Sequence, residues 1–370
     1  MSQSAGSGDG APGGAGNGLD LRQEVIRLPY REPFRIARAH GGDGMSSVVV
    51  ELRHPAWPGL VGYGEGYPDP YYGETLETVA VVLPRLLATV DPGELGAVTP
   101  EDGALLLETL AARFDDAIAR HGAAKCALDT ALHDLVGKRL GLPVHRLLGL
   151  SPEIGPTDFT IGLDEPAVVA ARARRAGHFP ALKIKVGGPA DLETLEAVRR
   201  VFAGPIRIDA NTGWTPEQGA ALIPDLVRLG VELIEQPFPA HRLDQLGWLQ
   251  ERSELPLVAD ESAVTIDDLE RLVGVVAGVN VKLAKCGGPG PARRMLARAR
   301  ALGFRTFLGC MEETSLGIAA SAHVAGLADW IDLDGCLLIT GDPFEGLELG
   351  ADSRWRLTDD PGLGIRRRPG

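Results

Sequence analysis

Lysine is the scarce residue of this chain. Of 37 cationic side chains only six are lysine (Lys125, Lys138, Lys183, Lys185, Lys282 and Lys285), and the rest are arginine. Cationic charge as a whole is short, since the 37 face 50 acidic residues and leave a net charge of −13. That balance argues against nucleic acid or an anionic membrane as a partner and accommodates a positively charged ligand more easily. Cysteine is sparse as well: Cys126, Cys286, Cys310 and Cys336 lie far apart, with no CxxC pair. They read as reduced thiols, and with no secretory leader visible a cytoplasmic location is expected. No apolar run is long enough to span a bilayer, so no membrane partner is expected.

At 370 residues and 44% apolar content the chain can bury a large core, as two domains or as one barrel with an appendage. Residues 1–19 are Gly-rich and read as a disordered tail. Alternating segments such as LRQEVIRLPY, SSVVVELRH and GLVGYGEGY then predict an antiparallel sheet, with a mobile loop at the GGDG after His40. Three helical stretches follow. ETLETVAVVLPRLLATV is interrupted by Pro84, TPEDGALLLETLAARF is capped by Thr99, and a long small-residue helix ends at Gly141 and Pro143. Residues 20–149 thus form an α+β unit. From 150 to 340 strand and helix alternate, the strands being TDFTIG, ALKIKV, PIRIDA, VELIEQ, PLVADE, VNVKLA, RTFLGC and WIDLDG. Residues 341–370 carry no helical repeat and are expected to return to the first unit.

The few lysines sit where that alternation matters. Lys185, Asp209, Glu235, Asp260 and Lys282 each close a strand, at intervals of about 25 residues, the length of one strand, one helix and two short loops. Functional residues at the C-terminal ends of consecutive strands are what a barrel with its site on that face requires. Three carboxylates converging there would repel unless a cation sat between them, and an all-oxygen ligand set suits magnesium or manganese. Lys183, two residues before Lys185, shares its strand face, and with the metal should lower the Lys185 pKa. An amine on either side of a dication describes proton abstraction next to a carboxylate.

The set KIK, DAN, EQP, ADES and NVK, with the cap-then-barrel order, resembles the enolase superfamily, muconate lactonizing enzyme subgroup, over residues 21–365. The resemblance implies a modified TIM barrel, (β/α)₇β, under an α+β capping domain built from the N-terminal region and the C-terminal tail. It implies Asp209, Glu235 and Asp260 as ligands of one Mg²⁺ (Mn²⁺ a possible substitute) and Lys185 and Lys282 as the acid/base pair, acting through a metal-stabilised enolate.

Within the subgroup, Asp332 and Asp334 in IDLDG resemble the DxD motif by which dipeptide epimerases hold a substrate ammonium; GYGEGYPDPYYGET and GCMEETSLG resemble bacterial L-Ala-D/L-Glu epimerases. A dipeptide substrate and a homo-oligomer are expected on this reading. Further candidate substrate contacts are Lys183, Arg38 in the cap loop for an acidic side chain, Glu313 to orient a lysine or the substrate, and Tyr67 and Tyr71. Gly287–Gly288 is a candidate anion-binding turn. The alternatives are N-acylamino acid racemase, o-succinylbenzoate synthase or cycloisomerase chemistry on the same site, and a non-catalytic metal-binding barrel.

Overall fold

The computed structural model describes residues 18–369; the tail reading therefore falls almost wholly outside the described residues. Strands β1 (Asp20–Ile36) and β2 (Ala39–Arg53) form a long antiparallel hairpin, and β3 (Gly62–Gly66) pairs with β2. Gly41–Gly44 lies inside β2, not in a loop: Gly44 pairs with Pro29 and Gly42 with Phe34, across a register shift that bends the hairpin.

The long helix Gly122–Leu140 lies directly on β3 and is buried around its whole girth from Gly122 to Gly137. Glycines alternate along β3, and a Cβ on Gly62, Gly64 or Gly66 would collide with the carbonyl oxygen of Ala131, Ala127 or Ala123 respectively. Two strand residues advance about 6.6 Å and four helical residues about 6 Å, so GYGEG and the alanines four apart keep step. Tyr63 and Glu65 take the other face. Before this helix, Leu76–Leu87 runs through Pro84 without a break, capped by Thr75, and Gly103–Ala117 starts later than expected. Thr99 does not cap it; its amide donates to Asp102 Oδ1 at 2.7 Å, closing a turn ahead of the helix.

The second part is a parallel sheet of eight strands in chain order: β4 (Phe159–Ile161), β5 (Leu182–Lys185), β6 (Ile206–Asp209), β7 (Val231–Glu235), β8 (Leu257–Ala259), β9 (Gly278–Val281), β10 (Arg305–Leu308) and β11 (Trp330–Ile331). Its ends meet where the Asp158 amide donates to Ile331 O at 3.0 Å and the Leu333 amide to Thr157 Oγ1 at 2.9 Å. Outward-facing Ile, Leu and Val join the surrounding helices in one core, while Leu233, Val258, Phe307 and Trp330 fill the barrel interior. After β11 only the single turn Gly335–Leu338 is helical, in keeping with (β/α)₇β.

The C-terminal residues touch the first part at several points. Val144 N donates to Gly362 O at 2.9 Å, Leu363 N to Asp134 Oδ1 at 2.9 Å, and Arg367 pairs with Glu24 at 2.5 Å. No helix among the described residues is long and apolar enough to cross a membrane.

Candidate active site

At the C-terminal ends of the barrel strands a cavity of about 380 Å³ opens under the β1–β2 turn and the loop after β3. Strand alternation aims Lys183 and Lys185 inward from β5 while Leu182 and Ile184 enter the outer core. Asp209 and Glu235 end β6 and β7, and Asp260 follows β8 by one residue. One carboxylate oxygen from each of the three lies within 4.8 Å of the others, and all three side chains are buried.

Lysines surround these acids. Lys183 Nζ lies 2.8 Å from Glu235 Oε2, 2.8 Å from Asp332 Oδ2 and 3.2 Å from Asp209 Oδ2. Burial alone would depress its pKa, but Asp332, Glu235 and Asp209 outweigh that and hold it well above the ordinary lysine value. Lys185 Nζ reaches Asp209 Oδ2 at 2.7 Å, and Lys282 Nζ reaches Asp260 Oδ2 at 2.8 Å. Lys282 is likewise raised, burial being overcome chiefly by Asp260. Lys285 is fully occupied: its ammonium donates to Asp260 Oδ1 (2.5 Å) and to the carbonyls of Asp260 (2.7 Å), Asn280 (2.9 Å) and Ala263 (3.0 Å), pinning the loop after β8.

A hard divalent cation fits this donor set. The ligand atoms are all carboxylate oxygens. Glu235 Oε2 in addition is buried without a hydrogen bond, since Lys183 stands at ion-pair distance from it but off the hydrogen-bond direction. Glu235 Oε1 accepts from Asn280 Nδ2 at 2.7 Å, which orients the carboxylate. Burial and the Asp209 charge push Glu235 up to about 8.

Asp332 and Asp334 lie beyond the end of β11, in the turn that starts Gly335–Leu338, not on the strand itself. Thr160 on β4 holds both: its Oγ1 donates to Asp332 Oδ1 at 3.0 Å and its amide to Asp334 Oδ2 at 2.5 Å. Lys183 outweighs burial and keeps Asp332 ionised, whereas burial and the Asp332 charge raise Asp334 to about 8. At neutral pH the pair thus carries about one negative charge, and an arriving ammonium would favour the second.

Other expected contacts are placed differently. Arg38 lines the cavity, but its NH1 is on Glu261 Oε1 (2.6 Å) and its NH2 on Asp69 Oδ2 (2.9 Å), with Tyr71 stacked 4.6 Å away. Tyr67 lines the cavity; Tyr71 does not. Glu313 does not face the cavity either; its neighbour Glu312 does, hydrogen-bonded by Tyr67. Gly288 and Gly290 serve an internal anion: Gly290 N donates to Asp129 Oδ2 at 3.1 Å, and a Cβ on Gly288 would strike that carboxylate. Thr160, Asn211 and Asn280 were not singled out from the sequence, although strand alternation puts Asn280 on the same face as Lys282.

Glu313 is buried against the cap strand carrying Glu65, and burial with the Glu65 charge raises it to about 8. A folded-state pKa above the unfolded value makes its contribution to stability full below about 4.5 and lost as pH rises to about 8. Glu313→Gln is therefore expected to melt higher than the parent above pH 8, by the equivalent of up to about 5 kcal/mol, with the gap closing by pH 5. Thermal melts across that window check this; a gap that widens toward acid would contradict it.

Known proteins resemble this arrangement over nearly the whole chain. Residues 22–149 match the mandelate racemase/muconate lactonizing enzyme N-terminal domain, and residues 167–369 match the enolase C-terminal domain-like family. An L-Ala-D/L-Glu epimerase of Bacteroides thetaiotaomicron is 39% identical over 359 residues, covering 95% of this chain and 89% of its own. A dipeptide epimerase of Enterococcus faecalis, solved with magnesium and L-Leu-L-Tyr, has a TM-score of 0.83 at 33% identity over 94% of this chain and 99% of that one. A muconate lactonizing enzyme of Pseudomonas fluorescens, complexed with muconolactone, has a TM-score of 0.85 at 27% identity over 94% and 96%. Backbone likeness alone does not separate the two chemistries; the side chains around the cavity must.

Proposed function

Because the chain belongs to the mandelate racemase/muconate lactonizing enzyme family of the enolase superfamily, we propose that it is an isomerase, a dipeptide epimerase inverting the α-carbon of the C-terminal residue. The observation that carries this reading is the Asp332–Asp334 pair on the wall of a cavity that also presents Lys185 and Lys282. A free dipeptide brings an ammonium to that pair. N-acyl amino acids and dicarboxylates bring none, and would set their own anionic or neutral groups against it.

Asp209, Glu235 and Asp260 would hold magnesium, which binds with the substrate in the Enterococcus relative. When bound there it draws electron density from the substrate carboxylate and makes the adjacent α-proton easier to remove. Lys185 and Lys282 then exchange that proton, one accepting it and the other returning one to the opposite face. Lys183 stays cationic among three carboxylates and positions Asp332. A glutamate preference like that of the Bacteroides relative would rest on Arg38, and an acidic side chain must then displace Glu261 or Asp69 from its guanidinium.

The test is incubation of a dipeptide library in heavy water, scored for deuterium at the C-terminal α-carbon; uptake only by N-acyl amino acids would refute the reading. The ammonium site has its own check. Asp332→Asn or Asp334→Asn is expected to raise KM for a free dipeptide about tenfold or more, the cost of a lost charge-assisted contact. The N-acetylated form should lose far less. Equal losses on both would remove the argument from the carboxylate pair.

A further inference from the structure

A second cavity of about 210 Å³ lies behind the Asp332–Asp334 wall, between the last part of β1, β4 and the helix Pro166–Arg175. Its surfaces are mainly apolar, from Pro33, Phe159, Ile161, Ala176, Phe179 and Leu337. Phe159 and Phe179 are stacked with centroids 4.9 Å apart, which fixes one wall. The charges at its rim are largely spent on one another. Glu32 accepts from Arg172 at 2.7 Å and from Arg175 at 2.5 Å, and Arg31 Nε donates to Leu337 O at 2.9 Å. A charged occupant would have to break those pairs, whereas an apolar one would not.

Phe34, Thr160 and Leu338 line both this cavity and the reaction cavity, so the two adjoin along these three residues beside β4. Thr160 is also the residue that holds Asp332 and Asp334. In a dipeptide the ammonium and the side chain of the N-terminal residue leave the same carbon. If the ammonium is held at the pair, that side chain starts at Thr160, against the shared wall.

We propose that this cavity is the subsite for a large apolar side chain, aromatic or branched aliphatic, on the N-terminal residue of the dipeptide, which enters between Phe34 and Leu338. The inference rests on the dipeptide reading above and specifies the substrate class: dipeptides with a bulky apolar first residue are preferred over those beginning with alanine. Alanine's methyl leaves the cavity unfilled. A larger side chain gains the transfer of several methylenes out of water, and each such group is worth roughly fourfold in selectivity where it is fully buried.

The experiment compares kcat/KM for L-Leu- and L-Phe- dipeptides with that for the L-Ala- dipeptide sharing the same C-terminal residue. A preference of roughly 10- to 100-fold for the bulky substrates is expected in the parent. In Ala176→Phe, which fills the cavity from the helix end, the ratio between the two substrates should fall at least tenfold. Ala176→Leu, a smaller filling, should lower it less and serves if the larger side chain prevents folding. Reading a ratio within one protein removes any general loss of rate. A parent that favours alanine or is indifferent would overturn the inference, as would a ratio unmoved in both variants. Absence of deuterium exchange on every dipeptide would instead overturn the functional reading itself, so the two failures are distinguishable.

Discussion

Replacing Glu235 by Gln is expected to abolish turnover and the stabilisation of the protein by magnesium together, while leaving the metal-free fold close to intact. Glu235 is the best of the three acids for this test because little else depends on its charge. Its Oε1 bond from Asn280 survives in the amide, and Lys183 keeps Asp332 and Asp209 as partners. Asp260 is the opposite case. It is the carboxylate partner of both Lys282 and Lys285, each buried, so Asp260→Ala leaves two ammoniums without it and should destabilise the fold by about 3–5 kcal/mol. Asp209→Ala falls between, since Lys185 loses its partner but Lys183 does not. All three variants should lose activity by at least about a thousandfold, on the scale of removing one preorganised electrostatic element. Only Glu235→Gln should do so at an unchanged metal-free melting temperature. Magnesium at a hundred times its dissociation constant should raise the parent's stability by about 2.7 kcal/mol and that of the variant not at all. Chelation should stop the parent and added magnesium restore it; turnover surviving exhaustive chelation would defeat the site as described.

The parts of this site that the sequence disclosed are those governed by strand periodicity. Five of the eight apolar segments are closed by a lysine or a carboxylate, which places Lys185, Asp209, Glu235, Asp260 and Lys282, with Lys183 beside Lys185, on inward faces or strand ends without knowledge of the packing, because side chains alternate with period two. Where the chain leaves its strand, that rule lapses. Glu312 and Glu313 follow β10 in a loop with no repeat, and nothing in GCMEETSLG says which carboxylate turns to the cavity. Asp332 and Asp334 lie past β11 yet stay together because Thr160 holds both, and that pairing spans more than 170 residues. Arg38 shows a different limit: its position over the site follows from the hairpin, but its capture by Glu261 and Asp69 depends on two separate loops. The Gly287–Gly288 turn reads as an anion site, but both its amides donate to Leu283 O; it is Gly290 N that meets a carboxylate, that of Asp129 from the cap helix, a contact between elements that no local pattern encodes.

Single lysine variants are expected to separate the two faces of the α-carbon. Inversion needs the proton to leave one side of a planar intermediate and another to arrive on the other side, and one amine fixed on a strand cannot do both. Lys185 ends β5 and Lys282 follows β9, with the three strands leading to Asp209, Glu235 and Asp260 between them in the sheet. Each amine leans on the carboxylate on its own side, Lys185 on Asp209 at 2.7 Å and Lys282 on Asp260 at 2.8 Å. Each should therefore serve one epimer. Lys185→Ala should stop epimerisation in both directions yet still exchange the α-proton of the epimer that faces Lys282, and Lys282→Ala should exchange only the other. Loss of one positioned acid/base group removes roughly 10²- to 10⁴-fold of rate, so the remaining exchange is slow, but its stereochemistry is readable by proton NMR in heavy water. The magnesium response of the melting temperature serves as the control, since neither lysine is among the three candidate metal ligands and both variants should still be stabilised by the metal. Both variants exchanging the same epimer, or either one epimerising near the parent rate, would show that Lys185 and Lys282 do not stand on opposite faces of the substrate.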